Sequence, residues 1–579
     1  MVKAGISVET SKNLSVLIAG PAGAGIFSSS VTLGKMFLRH GLNVFITNEY
    51  PSLIRGGHQW AQVRASLEET VFSHQKKVDI VLALDKPSIE KHTASLKTNG
   101  IIICDEEDAG SLAKNNVQIR AFPLRKIIKE MNAPSVAINS IGLGIIVGIL
   151  NGNIEIAEKL YDEQFRGKKE TADLNKQLFK MGYEYGKELS NSFQGYKLPQ
   201  QAIYSGKEKR LLIDGNTAVA LGALSAGLTF FASYPMTPAS PILHFLAEIQ
   251  KEVGIVVFQP ESEIAAINMA IGAAYAGARS MVATSGGGFS LMVEALGQAA
   301  MTETPILIVE VQRPGPSTGL PTHTAQGDLR FVIHASQGEF PRVVLAPGDP
   351  YQAYMLANRG LNIAWKYQVP VILLSDKYLG ESYWTVPDFP ELGIEEPKIS
   401  RENVGGFFPR YKITEDGVSP LVFPGTPGSL VYANTSEHDE YGFGTIEPSK
   451  VKEMQDKRLR KYRLLREEAE KHGIETIGDG DIVVVTWGST KQVVLEALKG
   501  VSGVKLVQVI WMEPFPKNKL LSEIKDKRLL VIENNSTGQL ASLIRENLFR
   551  EPDGLLLKYD GRQFFPEDIQ LWINSYLER

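Results

Sequence analysis

Short runs of apolar residues alternate with Gly-rich turns and stretches of helical period along most of the chain. Runs at 14–19, 78–84 and 100–104 open the pattern, and runs at 254–258, 280–284, 306–311, 343–345 and 369–374 continue it. Strands alternating with helical segments predict α/β folding around parallel sheets. A polar, helix-prone stretch covers 153–196, and a proline-containing segment at 198–204 precedes a restart of the pattern at 211–214, so a boundary is expected near 195–208. Between 384 and 448 prolines and glycines are too frequent for regular helices, while abundant aromatics argue against a disordered linker. An irregular, packed segment is expected there. A highly charged helix is predicted over 449–472, its charges forming a solvated face. Buried-looking strands at 482–486, 505–510 and 529–532 make a last α/β block.

The length of 579 residues raises the domain expectation to about three or four. With 61 basic against 65 acidic residues, a net charge of -4, 43% apolar and 22% charged residues, the composition is that of a globular protein with no basic surplus for nucleic acid. The single cysteine, Cys104, excludes an internal disulfide and cannot supply the four thiolates of a typical iron–sulfur cluster. The first apolar run is too short and too late for a secretory leader. The greasiest stretch, 141–150, is interrupted by Gly142, Gly144 and Gly148 and falls well short of the roughly 20 residues that span a bilayer. A cytoplasmic protein without membrane spans is expected.

Several segments carry candidate chemistry. Gly20-Pro-Ala-Gly23-Ala-Gly25 follows a strand and precedes a helix, where backbone N–H groups can hold a phosphate, although Ala22 breaks the dinucleotide fingerprint and a simple tight turn needs the same glycines. Arg55-Gly-Gly57 could clamp an anion or make a loop salt bridge. Ser233-Tyr234-Pro235-Met236-Thr237-Pro238 sets a hydroxyl between two prolines, so the loop is stiff and the hydroxyl aimed. Glu261-Ser-Glu263 opens an Ala/Gly-rich helix, as an ordinary cap or as a carboxylate favoured by the helix dipole. Ser285-Gly-Gly-Gly288 is an anion cradle or a permissive turn. Arg313-Pro-Gly-Pro-Ser-Thr-Gly-Leu-Pro-Thr322 follows the strand 306–311, at the carboxyl end where ligands of parallel sheets sit, and joins a carboxylate-binding Arg to hydroxyls on a proline-stiffened loop. Gly478-Asp-Gly480 mimics half of a thiamine diphosphate–magnesium motif, but Asn534 lies too far on to complete it and a strand follows where one should precede, so it reads as a turn. His438 has no second histidine at ligand spacing, and no metal site is assigned.

Tyr234–Pro238, Glu261-Ser-Glu263 and Arg313–Thr322, in this order, resemble the alpha subunit of the 2-oxoacid:ferredoxin oxidoreductases. Gly20–Gly25 with Arg55-Gly-Gly57 is similar to the gamma domain of these enzymes, Phe408-Pro-Arg-Tyr-Lys412 and Glu437-His-Asp-Glu-Tyr-Gly442 to the alpha-specific middle, and Thr486-Trp-Gly-Ser489 to the C-terminal domain. The resemblance covers nearly the whole chain in gamma–alpha fused order. It implies a multidomain α/β architecture: a gamma-type domain at 1–200, a thiamine diphosphate pyrimidine-binding domain at 201–385, an irregular insert with the charged helix at 386–472, and a transketolase-like domain at 473–579.

It further implies a CoA-acylating oxidative decarboxylation of a 2-oxoacid, 2-oxoglutarate favoured, with pyruvate, branched-chain or broad specificity and a non-catalytic CoA-binding or assembly subunit as alternatives. Thiamine diphosphate would be shared with a beta subunit that carries magnesium and a [4Fe–4S] cluster, in an αβ or (αβ)2 complex that delivers electrons to ferredoxin. Carried over by residue, Glu263 would hydrogen-bond the aminopyrimidine and promote its imino tautomer. Arg313 and Thr322 would hold the substrate carboxylate, Thr237 would bond near the reacting carbonyl, and Tyr234, Pro235, Met236 and Pro238 would line the pocket. Gly20, Gly23, Gly25 and Arg55 would contact coenzyme A. Gln337 departs from the histidine expected in many relatives.

Overall fold

The structure is a computed structural model that describes residues 13–51, 56–109, 117–193, 195–199 and 209–578. They group into two compact units, one from Met1–Ile213, Ser382–Asp388 and Phe565–Asp568, the other from Asp214–Glu381, Phe389–Phe564 and Ile569–Arg579.

The first unit is built on an eight-stranded sheet. Its strands Gln118–Phe122, Leu96–Asp105, Val78–Ala83 and Leu14–Pro21 run parallel, and His58–Ser66, Asn43–Glu49, Tyr383–Pro387 and Arg210–Asp214 extend it. His58–Ser66 is antiparallel to both Leu14–Pro21 and Asn43–Glu49, which corrects the expectation of parallel sheets throughout. Only residues 50–57 join Asn43–Glu49 to His58–Ser66, fewer than the dozen or so that a parallel crossover needs. Tyr383–Pro387 is a second correction, because the irregular segment does not begin at 384. Its side chains alternate in burial, Tyr383 and Trp384 pair with Ile46 and Phe45, and Trp384 Nε1 donates to Phe72 O at 2.8 Å.

The apolar stretch at 141–150 becomes the buried helix Ile138–Ile149, crossing Lys169–Leu189 at its glycines. No helix among the described residues is long and apolar enough to cross a membrane.

The second unit holds two larger sheets. One has the order Trp511–Glu513, Val343–Leu345, Pro370–Asp376, Ile306–Gln312, Ser280–Thr284, Phe230–Ala232, Val256–Phe258, all parallel except the first. Its central strands are buried on both faces and read as largely apolar runs, with Glu310 the charged exception inside Ile306–Gln312. The other sheet orders Ile474–Ile477, Val504–Val509, Ile482–Trp487, Arg528–Glu533 and Gly554–Leu557. One hydrophobic core runs through both, from Ala232, Val282 and Ile308 to Val485, Trp487 and Val531. Residues 478–480 form the turn before Ile482–Trp487, with Gly478 at φ +76°.

The charged helix is present as Pro448–His472, but its charges are not all solvated. Lys457 and Lys461, one turn apart, are buried and each places Nζ 2.5 Å from a carboxylate oxygen of Glu303. Arg410, also buried, donates to Glu303 O at 3.0 Å and to Gln368 Oε1 at 3.1 Å. A single buried carboxylate thus binds two ammonium groups, and burial pushes the Lys457 amine down to about 7.

Candidate active site

The loops at the carboxyl ends of Phe230–Ala232, Ser280–Thr284 and Ile306–Gln312 converge in the second unit, and each brings one of the motifs. After Phe230–Ala232 the chain is pinned by Ser233, whose Oγ donates to Ala283 O at 2.7 Å. Tyr234, Pro235 and Met236 lead to Thr237, and Pro238 O accepts from Asn216 Nδ2 at 2.9 Å. The stiff loop therefore has its ends tied to the neighbouring strand and to the helix Gly215–Ser225.

Glu263 is the first residue of the helix Glu263–Tyr275. Ser262 caps that helix by accepting from Ala265 N, which relieves the glutamate of the capping role. Glu263 is buried and its Oε1 has no hydrogen-bond partner, whereas Glu261 is exposed. The space in front of it depends on Gly288, where a Cβ would lie 2.7 Å from Glu263 Oε1 and 2.0 Å from Thr284 Oγ1. A buried, unpartnered carboxylate oxygen is costly in isolation, and it fits a group that brings a nitrogen donor of its own. An aminopyrimidine is such a group.

Arg313 projects from the end of the central strand. Its Nη1 donates to Thr237 O at 2.7 Å, which joins two motifs separated by 76 residues, and its buried Nε has no partner. The loop beyond it is tight: Leu320 N donates to Pro314 O at 3.0 Å, and Gly319, at φ +51°, has no room for a Cβ against that same carbonyl. Arg313, Met236, Gly286, Gly287, Pro316 and Asp328 line a cavity of about 510 Å³ together with Ser290, Ser317 and Thr318. Thr322 is buried outside this lining, its Oγ1 3.3 Å from His323 Nδ1.

Two acids of this region had no role in the sequence reading. Glu310, inside the strand that leads to Arg313, is wholly buried and meets no donor except the neighbouring Asp328 carboxyl. Burial, then the charges of Asp328 and Asp376, hold its carboxyl well above the usual range. Burial pushes Asp328 up to about 6 and lowers the Arg313 guanidinium. An acid within the apolar run of a strand buried on both faces gives no signal of its own.

In the first unit the Gly20–Gly25 segment has the strand–turn–helix geometry. Leu14–Pro21 ends in a turn with Gly23 at φ +84°, and Gly25, at φ +73°, caps the helix Ile26–Arg39. Ala22 N donates to Gly57 O at 2.8 Å, so the two glycine segments lie side by side; Arg55 lies outside the described residues. Cys104 is a buried free thiol whose pKa burial pushes up to about 11.

Residues 15–185 match the family described as pyruvate ferredoxin/flavodoxin oxidoreductase, and residues 221–457 match its thiamine diphosphate-binding counterpart, pyruvate flavodoxin/ferredoxin oxidoreductase. The 2-oxoacid:ferredoxin oxidoreductase subunit alpha of Saccharolobus solfataricus is 31% identical over 98% of both chains. The 2-oxoglutarate oxidoreductase subunit KorA of Mycobacterium tuberculosis is 28% identical over 98% of this chain and 92% of its own. Among solved structures, the 2-oxoglutarate:ferredoxin oxidoreductase of Magnetococcus marinus, with 2-oxoglutarate, coenzyme A and succinyl-CoA bound, superposes with a TM-score of 0.88 at 33% identity, covering 98% of this chain and 99% of that one.

Proposed function

The chain belongs to the alpha subunits of the 2-oxoacid:ferredoxin oxidoreductases, and from that membership we propose that, with a beta subunit, it converts a 2-oxoacid and coenzyme A to an acyl-CoA and carbon dioxide, passing the electrons to ferredoxin. 2-Oxoglutarate is the favoured substrate, supported by the ligands bound in the Magnetococcus marinus enzyme. The observation that carries the reading is the unpartnered oxygen of Glu263 facing the space that Gly288 leaves open.

Bound there and completed by the beta subunit, thiamine diphosphate supplies the electron sink for decarboxylation. Glu263 holds the aminopyrimidine and governs its proton, a task that needs an oriented carboxylate. Arg313, anchored through Nη1 to Thr237 O, turns its remaining donors to the substrate carboxylate. The hydroxyls of Thr237 and Thr322 position the substrate, and Tyr234, Pro235, Met236 and Pro238 wall the pocket. Gly20, Gly23, Gly25 and Arg55 receive the phosphates of coenzyme A. The complex is a cytoplasmic αβ or (αβ)2 assembly whose beta subunit carries magnesium and a [4Fe–4S] cluster; that this chain has one cysteine supports the placing of the cluster on the partner.

The test is anaerobic purification of the chain with its co-eluting partner, followed by viologen reduction with coenzyme A and a panel of 2-oxoacids. Activity that needs coenzyme A and a cysteine-containing partner, highest with 2-oxoglutarate, is the expected result. Thiamine-dependent turnover by the isolated chain would overturn it.

A further inference from the structure

Arg313 is not alone in its cavity. Asp328 lines the same space, its backbone N donating to Gln312 Oε1 at 3.0 Å, and its carboxylate lies against Gly286, where a Cβ would come within 2.5 Å of Oδ2. Behind it Glu310 is sealed from solvent, its carboxyl meeting no donor from the rest of the protein and set against the Asp328 carboxyl, with which it can share a proton. The charged and titratable groups that face this pair are Arg313 at the end of the same strand, Asp376 at the end of the adjacent strand, and Glu263 beside Thr284, the residue in register with Glu310. One cation thus stands among several carboxyl groups in a partly dehydrated site, where two like charges in contact cannot both persist.

We propose that Asp328, backed by a protonated Glu310, is the anion that shares the cavity with Arg313, and that binding of a substrate carboxylate to Arg313 makes the Glu310–Asp328 pair take up one proton from water. The inference rests on Arg313 as the substrate-carboxylate ligand, as proposed above. The guanidinium carries one positive charge and cannot neutralise both the incoming carboxylate and Asp328. Protonating Asp328 restores the balance, and a carboxyl group that titrates at about 6 accepts that proton readily near neutrality. Glu310, held neutral, is the hydrogen-bonding wall that keeps Asp328 from needing a second cation. The pair thereby selects for an anionic head group on the substrate and couples its binding to pH.

The sign follows from linkage. Below about pH 6 Asp328 is already protonated and substrate binding takes up nothing; above it, each pH unit weakens binding about tenfold until the raised value of the complex is reached. The probes are oxamate and N-oxalylglycine, isosteres of pyruvate and 2-oxoglutarate that are not decarboxylated, used as competitive inhibitors of the complete, thiamine-loaded complex from about pH 5.5 to about 8.5.

The inhibition constant is expected to be flat up to about pH 6, to rise about tenfold per pH unit above it, and then to level. Asp328→Asn should abolish the slope, and Glu310→Gln, which imitates a protonated glutamic acid, should keep it. Calorimetry of the wild-type complex in two buffers of different ionisation heat gives a second readout that needs no variant: net uptake approaching one proton near pH 7 is expected. A flat wild-type profile, zero uptake, or a wild-type slope in Asp328→Asn overturns the proposal. If Arg313→Ala leaves inhibition unchanged, the assignment of Arg313 to the substrate carboxylate fails and this inference falls with it. A flat profile with binding still dependent on Arg313 overturns this inference and leaves the assignment of Arg313 standing.

Discussion

Glu263 owes its availability to Ser262 and Gly288. Ser262 takes the capping bond that a glutamate at a helix start might otherwise accept, and Gly288 withholds the Cβ that would fill the space before Oε1. Glu263→Gln keeps the shape and removes the proton acceptor, so kcat should fall by about 100-fold or more with KM much less affected, read in the viologen assay of the complex. Arg313→Ala removes a charge-assisted contact and should raise the KM for the 2-oxoacid by about 10- to 100-fold. At this scale legibility depended on whether a residue's own neighbours betray it. Arg313 sits in a proline-stiffened loop after a strand, and Glu263 heads a small-residue helix, so both were readable. Glu310 was not, because five apolar residues of the run Ile306–Gln312 mark it as ordinary strand, and its isolation comes from the strands on either side.

Elements are held to one another by two devices that local pattern conveys only in part. The helices Ile138–Ile149 and Lys169–Leu189 approach until backbones touch: a Cβ at Gly144 would lie 2.1 Å from Phe179 O, and one at Gly182 would lie 2.1 Å from Ile141 O. Gly182→Ala should therefore force the pair apart and cost about 1–3 kcal/mol or more, measured by chemical denaturation of the first unit's transition. Gly142, Gly144 and Gly148 were visible as interruptions of a greasy stretch; Gly142 faces Leu82, whereas Gly182 and Gly186, which meet the helix at the level of Gly144 and Gly148, lie in a polar helix and became meaningful only when the two met. The second device is Glu303 with Lys457 and Lys461. Glu303→Gln leaves two buried ammonium groups without their counter-ion and should destabilise the fold by about 3–5 kcal/mol, with the loss read from the denaturation midpoint. A helix so rich in charge reads as solvated because charged residues are seldom buried unless paired, and here the pairing partner lies over 150 residues away.

For the molecule as a whole, the chain's path matters as much as its segments. Tyr383–Pro387 returns to the sheet of the first unit and covers the strand Asn43–Glu49, so a fragment ending at residue 213 would leave that edge uncovered. Such a fragment should be less soluble and melt lower than the same unit within the full chain, a difference that light scattering and thermal unfolding can follow. The alternation of strands and helices, the stiff Thr237 and Arg313 loops, the strand–turn–helix at Gly20–Gly25 and the lack of thiolates for a cluster all lay in the amino-acid order, because period, turn chemistry and composition act over a few residues at a time. Other features waited for the fold: the antiparallel half of the first sheet, the burial of Lys457 and Lys461, the meeting of Arg313 with Thr237, and the enclosure of Glu310 beside Asp328. Each depends on strand pairing, hydrogen bonding or dehydration that brings together separate segments of the chain, and those free energies exist only once tertiary contacts have formed.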